Sequence, residues 1–263
     1  MLKALSVGLI KRYTQHGVSK SCAALTYYTL FSFFPFMLLL GRILGMLSIS
    51  DAAFITSVSN VIPVEVINIA RRYLSAPSAS QNTWSTILWS VVTLHLFVRN
   101  IRMILPALEE AFGVVNDRPA AVRFILSVAL AIGNILLIAA MLLLITLSKN
   151  MLSWLSTKMA ISAVFISVWD KGRFLFLAAL VFLVLFALYA AAVGRSFKWR
   201  QLLPGALCAT LAWVAISMGF SFYVSHMGRY SVVYGSLGAV IVLLLWLYLS
   251  ATIIIMGAEC CSG

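Results

Sequence analysis

The residues able to do chemistry are few and scattered. The chain has three histidines, His16, His95 and His226, and only seven acidic residues. Metal-dependent phosphodiester cleavage needs clustered carboxylates or histidines that hold metals about 4 Å apart, and these histidines lie in three separate regions. Glu109 and Glu110 are adjacent, so on a helix they point about 100° apart and share no metal face; the run ALEEAF reads as a solvated inner-face turn or surface helix. Cys260 and Cys261 stand together with no neighbouring histidine, which leaves a zinc site without its second ligand pair. Neither a Ser/His/Asp set nor a Gly-rich phosphate loop nor a CxxC motif occurs. No catalytic residue, metal site or cofactor is expected, and the chain reads as a non-enzyme.

Polar groups embedded in apolar runs carry more information. Thr86, Ser90, Thr93 and Asn100 fall at i, i+4, i+7 and i+14 of one run, within about 40–60° of one another on a helix. His95, Arg99 and Arg102 lie on the opposite side at i, i+4 and i+7. A helix that is polar on both faces belongs inside a bundle or beside a wet cavity. Arg42 in the first run, Asn134 beside Ser127 in the third, Ser217 between Thr210 and Ser221 in the fifth, and Glu259 at the end of the last complete a candidate polar cavity or buried network. The competing reading of each Ser/Thr stripe is interhelical packing.

The elements that must position these groups follow from composition. Of 263 residues, 63% are hydrophobic and 10% charged, with a mean hydropathy of +1.05; a soluble domain carries about 25% charged residues. Six runs, about 23–47, 84–105, 124–147, 173–193, 203–224 and 236–258, are long enough to cross a hydrocarbon core of about 30 Å as helices. The expectation is a single all-α, six-helix membrane domain over 1–263. The most polar run, the second, should sit near its centre, and the fourth, with only Tyr189, should face lipid. Residues 1–20, with Leu2, Leu5, Leu9 and Tyr13 at helical spacing among basic residues, read as an amphipathic helix on the inner surface. Two short helices are expected in the loop after the first run, and an interfacial segment between Trp154 and Trp169.

Charge sets the orientation. With the amino terminus inside, eleven of the nineteen Lys and Arg fall on the inner side and seven outside, with Arg42 within the first run. Both termini are then cytoplasmic, and Cys22, Cys208, Cys260 and Cys261 lie near the reducing face. The net charge of +12 implies membrane lipids with anionic headgroups as partners. No basic cluster interleaved with aromatics points to nucleic acid. Gly235 and Ala239 form a small-xxx-small patch suited to close helix contact, within the chain or in a homo-oligomer.

The runs AALTYYTLFSFFPFMLLL (23–40), LWSVVTLHLFVRNIRMILPALEEAFGV (88–114), LPGAL (203–207) and YGSLGAVIVLLLWLYLSATIIIMGAE (234–259) resemble the YihY/BrkB family of bacterial inner-membrane proteins. The resemblance covers nearly the whole chain in matching order. It implies six helices, cytoplasmic termini and a bacterial inner membrane; the family has been linked by name to serum resistance and was once labelled ribonuclease BN. Relatives tend to carry a longer polar tail after the residue matching Glu259.

The residues favour a transport-like protein that handles a polar or amphipathic anionic substrate such as a lipid. The alternatives are a membrane scaffold or envelope-integrity factor and, last, an intramembrane enzyme. Support for transport comes from the polar second helix, Arg42, and Pro35, which frees the carbonyl of Phe31. Arg99 and Arg102 should matter more than Arg195 and Lys198 in a solvated loop. Glu259, at a helix C-terminus where a negative charge is disfavoured, is expected to pair with Arg102, Arg195 or Arg200.

Overall fold

A computed structural model describes residues 13–15, 17–46, 83–115, 118–158, 163–194, 196–226 and 236–260. Six long helices account for most of them: α1 (Val18–Met46), α2 (Thr83–Ala111), α3 (Ala120–Lys158), α4 (Ala163–Val193), α5 (Trp199–His226) and α6 (Ser236–Glu259). Each contains a stretch long and apolar enough to cross a membrane, and no strand occurs among the described residues. The chain is an all-α polytopic bundle. The amphipathic segment expected over 1–20 and the two short helices of the first loop lie largely outside the described residues.

Helix ends follow local chemistry. Pro106 does not stop α2, which runs on to Ala111, because an internal proline removes only its own N–H and leaves one carbonyl, that of Arg102, without its usual donor. Termination waits for Gly113, at φ 65°, where the Val114 N–H donates to the Glu109 carbonyl at 2.9 Å in a Schellman-type closure. Of the stretch expected as an interfacial segment between Trp154 and Trp169, the described residues continue α3 to Lys158 and start α4 at Ala163. At about 1.5 Å per residue these helices outrun the bilayer; their apolar spans are Ala120–Met141 and Leu175–Val193.

Gly194 closes α4 in the left-handed region, at φ 61°, its N–H donating to the Ala190 carbonyl at 3.0 Å. Arg118, in the α2–α3 connection, caps the same helix end: its Nη1 donates to the Ala191 carbonyl at 3.0 Å, a cation at the negative pole of the helix dipole. A Cβ at Gly194 would collide with the Arg118 guanidinium. Gly194→Ala is therefore expected to lower the thermal unfolding midpoint in detergent, with roughly 1–2 kcal/mol from the backbone conformation alone and more from displacing Arg118. An unchanged midpoint would remove Arg118 from this role.

Packing places α2 at the centre, against α1, α3, α4 and α6, with α5 held by α4 and α6. The largest fully buried side chains include Leu40, Leu108, Tyr189, Leu202, Leu243 and Ile255. The expectation that the fourth helix faces lipid is overturned. In the α4 span 33% is buried, against 11% in α3, and α4 places Leu185, Leu188, Tyr189, Ala192 and Val193 in the core. A helix that is apolar all round does not distinguish protein from lipid, because lipid tails are as apolar as leucine. Fit decides instead: the Tyr189 hydroxyl donates to the Ile254 carbonyl of α6 at 2.6 Å, and its ring meets Phe112 edge-on at 5.5 Å.

Candidate functional site: the open face of α2

Side chains divide α2 into two faces. Thr93, Phe97, Ile101, Ile104 and Leu108 are buried, while Leu88, Val91, His95, Arg99, Arg102, Pro106 and Glu110 are exposed. These seven exposed residues follow one another by three or four positions, so they form one stripe along the helix. Although four helices pack on α2, this face stays open among the described residues. In the span Thr86–Ala111, Arg99 lies ~20 Å from one end and ~18 Å from the other. His95, Arg99 and Arg102 make no hydrogen bond or ion pair among the described residues. A charge at such depth in hydrocarbon costs about 2.5–3.5 kcal/mol on insertion scales, so these cations need a polar or anionic partner beyond the described residues. Pro106, which removes the helical donor of the Arg102 carbonyl, is exposed on the same side.

The neighbours of α2 on either side are fixed by three contacts. Towards α1, Asn100 Nδ2 donates to Thr29 Oγ1 at 2.7 Å and the Phe36 and Phe97 rings lie 5.8 Å apart. Towards α3, Arg123 Nη2 lies 2.7 Å from Glu109 Oε2. From that ion pair the two helices run side by side. Arg102 stands ~10 Å and His95 ~21 Å up α2 from Glu109, within about 20–40° of its direction, while half-buried Asn134 stands ~16 Å up α3, within about 20° of Arg123. If α3 keeps that direction, Asn134, on the same side of α3 as Arg123, comes level with the stretch of α2 between Arg102 and His95.

The polar residues expected to share one network separate into groups. His95, Arg99 and Arg102 are exposed rather than buried, because the packed helices cover only the opposite side of α2. Thr86, Ser90, Thr93 and Asn100 occupy that packed side: Thr93 is fully buried, its hydroxyl donating to the Trp89 carbonyl at 2.7 Å, and Ser90 donates to Thr86 at 2.8 Å. Within this stripe Thr93 is buried against the bundle, while Thr86, Ser90 and Asn100 are half-buried. Ser217 belongs to an α5–α6 clamp, in which Trp246 Nε1 donates to it at 3.4 Å and Trp213 Nε1 donates to Ser250 at 3.0 Å. Glu259 is 1% exposed. Of the cations expected to pair with it, Arg102 and Arg200 are exposed and Arg195 is outside the described residues. Gly235 and the side chains of Arg42 and Ala239 are also outside them.

Glu109 corrects the reading of ALEEAF as a solvated turn. It is 8% exposed and held by Arg123, which offsets a carboxylate in the last turn of α2; Glu110 alone is exposed. Sequence reasoning missed this pair and the Arg118 cap. The available signal was a tight connection, Gly113 to Pro119, that brings basic residues just after it back to the carboxylates before it. Outside the membrane-spanning helices, Tyr13 shares a hydrogen bond with Tyr248 at 3.0 Å, which raises the Tyr13 phenol above its ordinary pKa.

The model of the family described as virulence factor BrkB matches residues 9–261. The chain belongs to the BrkB family. This BrkB protein is 30% identical over 252 residues to the ribonuclease-like protein YfkH of Bacillus subtilis, covering 95% of the chain and 91% of YfkH. It is 30% identical to a UPF0761 membrane protein of Alcanivorax borkumensis, covering 98% of the chain but 59% of that protein. A UPF0761 membrane protein of Alteromonas mediterranea is 27% identical, covering 95% of the chain and 84% of the relative. No solved structure matches. With six apolar helices and these relatives, the BrkB chain is a multi-pass bacterial membrane protein.

Proposed function

We propose that this BrkB-family protein is a transport-like, non-enzymatic protein of the bacterial inner membrane that handles an amphipathic anionic substrate such as a lipid. One observation carries the reading: His95, Arg99 and Arg102 lie mid-span on the one face of the central helix left open among the described residues. Such a face offers an anion a route along the bundle with its apolar part still in lipid. The name of YfkH is ribonuclease-like, but here Glu109 is engaged by Arg123 and Glu110 points away from it, which favours a structural use of these carboxylates. Arg118, Arg123, Lys198 and Arg200 gather where α2 meets α3 and α4 meets α5, which supports placing that end, and both termini, in the cytoplasm.

The test is translocation by the purified protein in vesicles carrying tail-labelled fluorescent phosphatidylglycerol. Dithionite quenching is expected to pass the outer-leaflet fraction and approach completion. Quenching that stops at the outer-leaflet fraction sinks the transport reading. The scaffold alternative differs in what the α2 face meets: cysteines placed at His95 and Arg102 react with a water-soluble maleimide on a transport route, and are protected where a partner helix covers them.

A further inference from the structure

Resting on the transport reading, we infer that the open face of α2, together with Asn134 of α3, is a headgroup site for an anionic phospholipid whose headgroup carries hydroxyls, such as phosphatidylglycerol. Arg99 and Arg102 are three residues apart on one exposed face, so their Cβ atoms are about 5–6 Å apart. Two guanidinium forks at that spacing converge on one phosphate, whose oxygens accept a pair of charge-assisted hydrogen bonds from each. The Arg102 carbonyl loses its helical donor to Pro106, which is exposed on the same side. It can accept a hydrogen bond from a headgroup hydroxyl, which a glycerol headgroup supplies and a quaternary ammonium does not. Asn134, level with this stretch on α3, offers an amide to the same headgroup.

The apolar part of the stripe fits the rest of the molecule. Beyond His95, towards the start of α2, the exposed residues include Val91, Leu88 and Trp84, a surface for acyl chains. Exposed Glu110 ends the stripe at the opposite, inner end. A lipid bound with its phosphate at Arg99 and Arg102 therefore keeps the head-to-tail direction of the inner leaflet while its headgroup stands well above the inner boundary. Charge complementarity favours this occupant over a second copy of the chain, whose same face would bring the same cations together.

The experiment is calorimetric titration of the purified protein, in a non-ionic maltoside detergent, with dihexanoyl phosphatidylglycerol and, separately, dihexanoyl phosphatidylcholine. Phosphatidylglycerol is expected to bind the more tightly. Arg99→Gln with Arg102→Gln should weaken it by about tenfold or more, and Asn134→Ala by a smaller factor. Arg99→Lys with Arg102→Lys, which keeps charge and loses the forks, should fall between. Equal binding of the two lipids, unchanged binding in the glutamine pair, or a dimer in light scattering that the glutamine pair dissolves would overturn the site. Should wild-type protein bind phosphatidylglycerol in this Arg-dependent way yet fail to translocate it, the site stands and the transport reading falls. Translocation by wild type without Arg-dependent binding overturns the site alone.

Discussion

Replacing Arg99 and Arg102 together by glutamine should reduce phosphatidylglycerol translocation at least about tenfold, while folded protein accumulates in the membrane at the wild-type level. Both side chains are exposed and make no internal hydrogen bond or ion pair among the described residues, so their removal breaks no bond among those residues. A neutral amide is also cheaper than a guanidinium at that depth. The control is Lys198→Gln with Arg200→Gln. These cations are exposed at the connection between α4 and α5, Arg200 lying over the Trp199 ring at 5.3 Å, away from the exposed stripe of α2. Translocation should survive the control. If both pairs reduce it equally, only the overall positive charge of the inner end matters, and the α2 face loses its special role.

Gly257→Ala is expected to be among the most destabilising single changes in the chain. A Cβ there would fall 2.5 Å from Ala209 Cβ and 2.6 Å from Tyr189 Oη, so α6 meets α5 and α4 at a separation that only a glycine permits. Ala209 is 1% exposed and Tyr189 is fully buried. The Tyr189 hydroxyl cannot swing away without giving up its bond to the Ile254 carbonyl, and the Ala209 methyl moves only with the α5 backbone. Overpacking of this kind costs about 1–3 kcal/mol. The measurement is the thermal unfolding midpoint in detergent together with the folded yield from membranes. Adding Ala209→Gly should restore part of the loss, because it reopens the space on the α5 side. A Gly257→Ala variant that unfolds like wild type, or a loss that Ala209→Gly leaves untouched, would show that the three helices do not meet at this point.

Much of the fold was legible from run length alone. Six uncharged or nearly uncharged stretches in a bilayer leave only helices as a solution, since every backbone group must be satisfied within its own segment. The second helix was also legible as exceptional, because a 3.6-residue period separates Thr86, Ser90, Thr93 and Asn100 from His95, Arg99 and Arg102 without any knowledge of neighbours.

Which of those two faces is open was not legible. Periodicity gives the angle between residues on one helix and says nothing about where the next helix lies. The structure places the hydroxyls towards the bundle, where Asn100 reaches Thr29, and leaves the cations exposed among the described residues. The same limit explains α4 and Glu109. A stretch with only Tyr189 for polarity looks lipid-facing until that hydroxyl meets the Ile254 carbonyl, and a carboxylate beside another looks solvated until Arg123 returns across the Gly113 turn.

The sequence by itself determined the class, the spans and the two-faced second helix, because these depend on local composition and on the thickness of a bilayer. Tertiary structure decided which helix is central, which cations remain open and which carboxylate is buried. In a membrane apolar surface gains little by choosing protein over lipid, so those choices rest on close fits such as Gly257 and on hydrogen bonds between residues far apart in the chain.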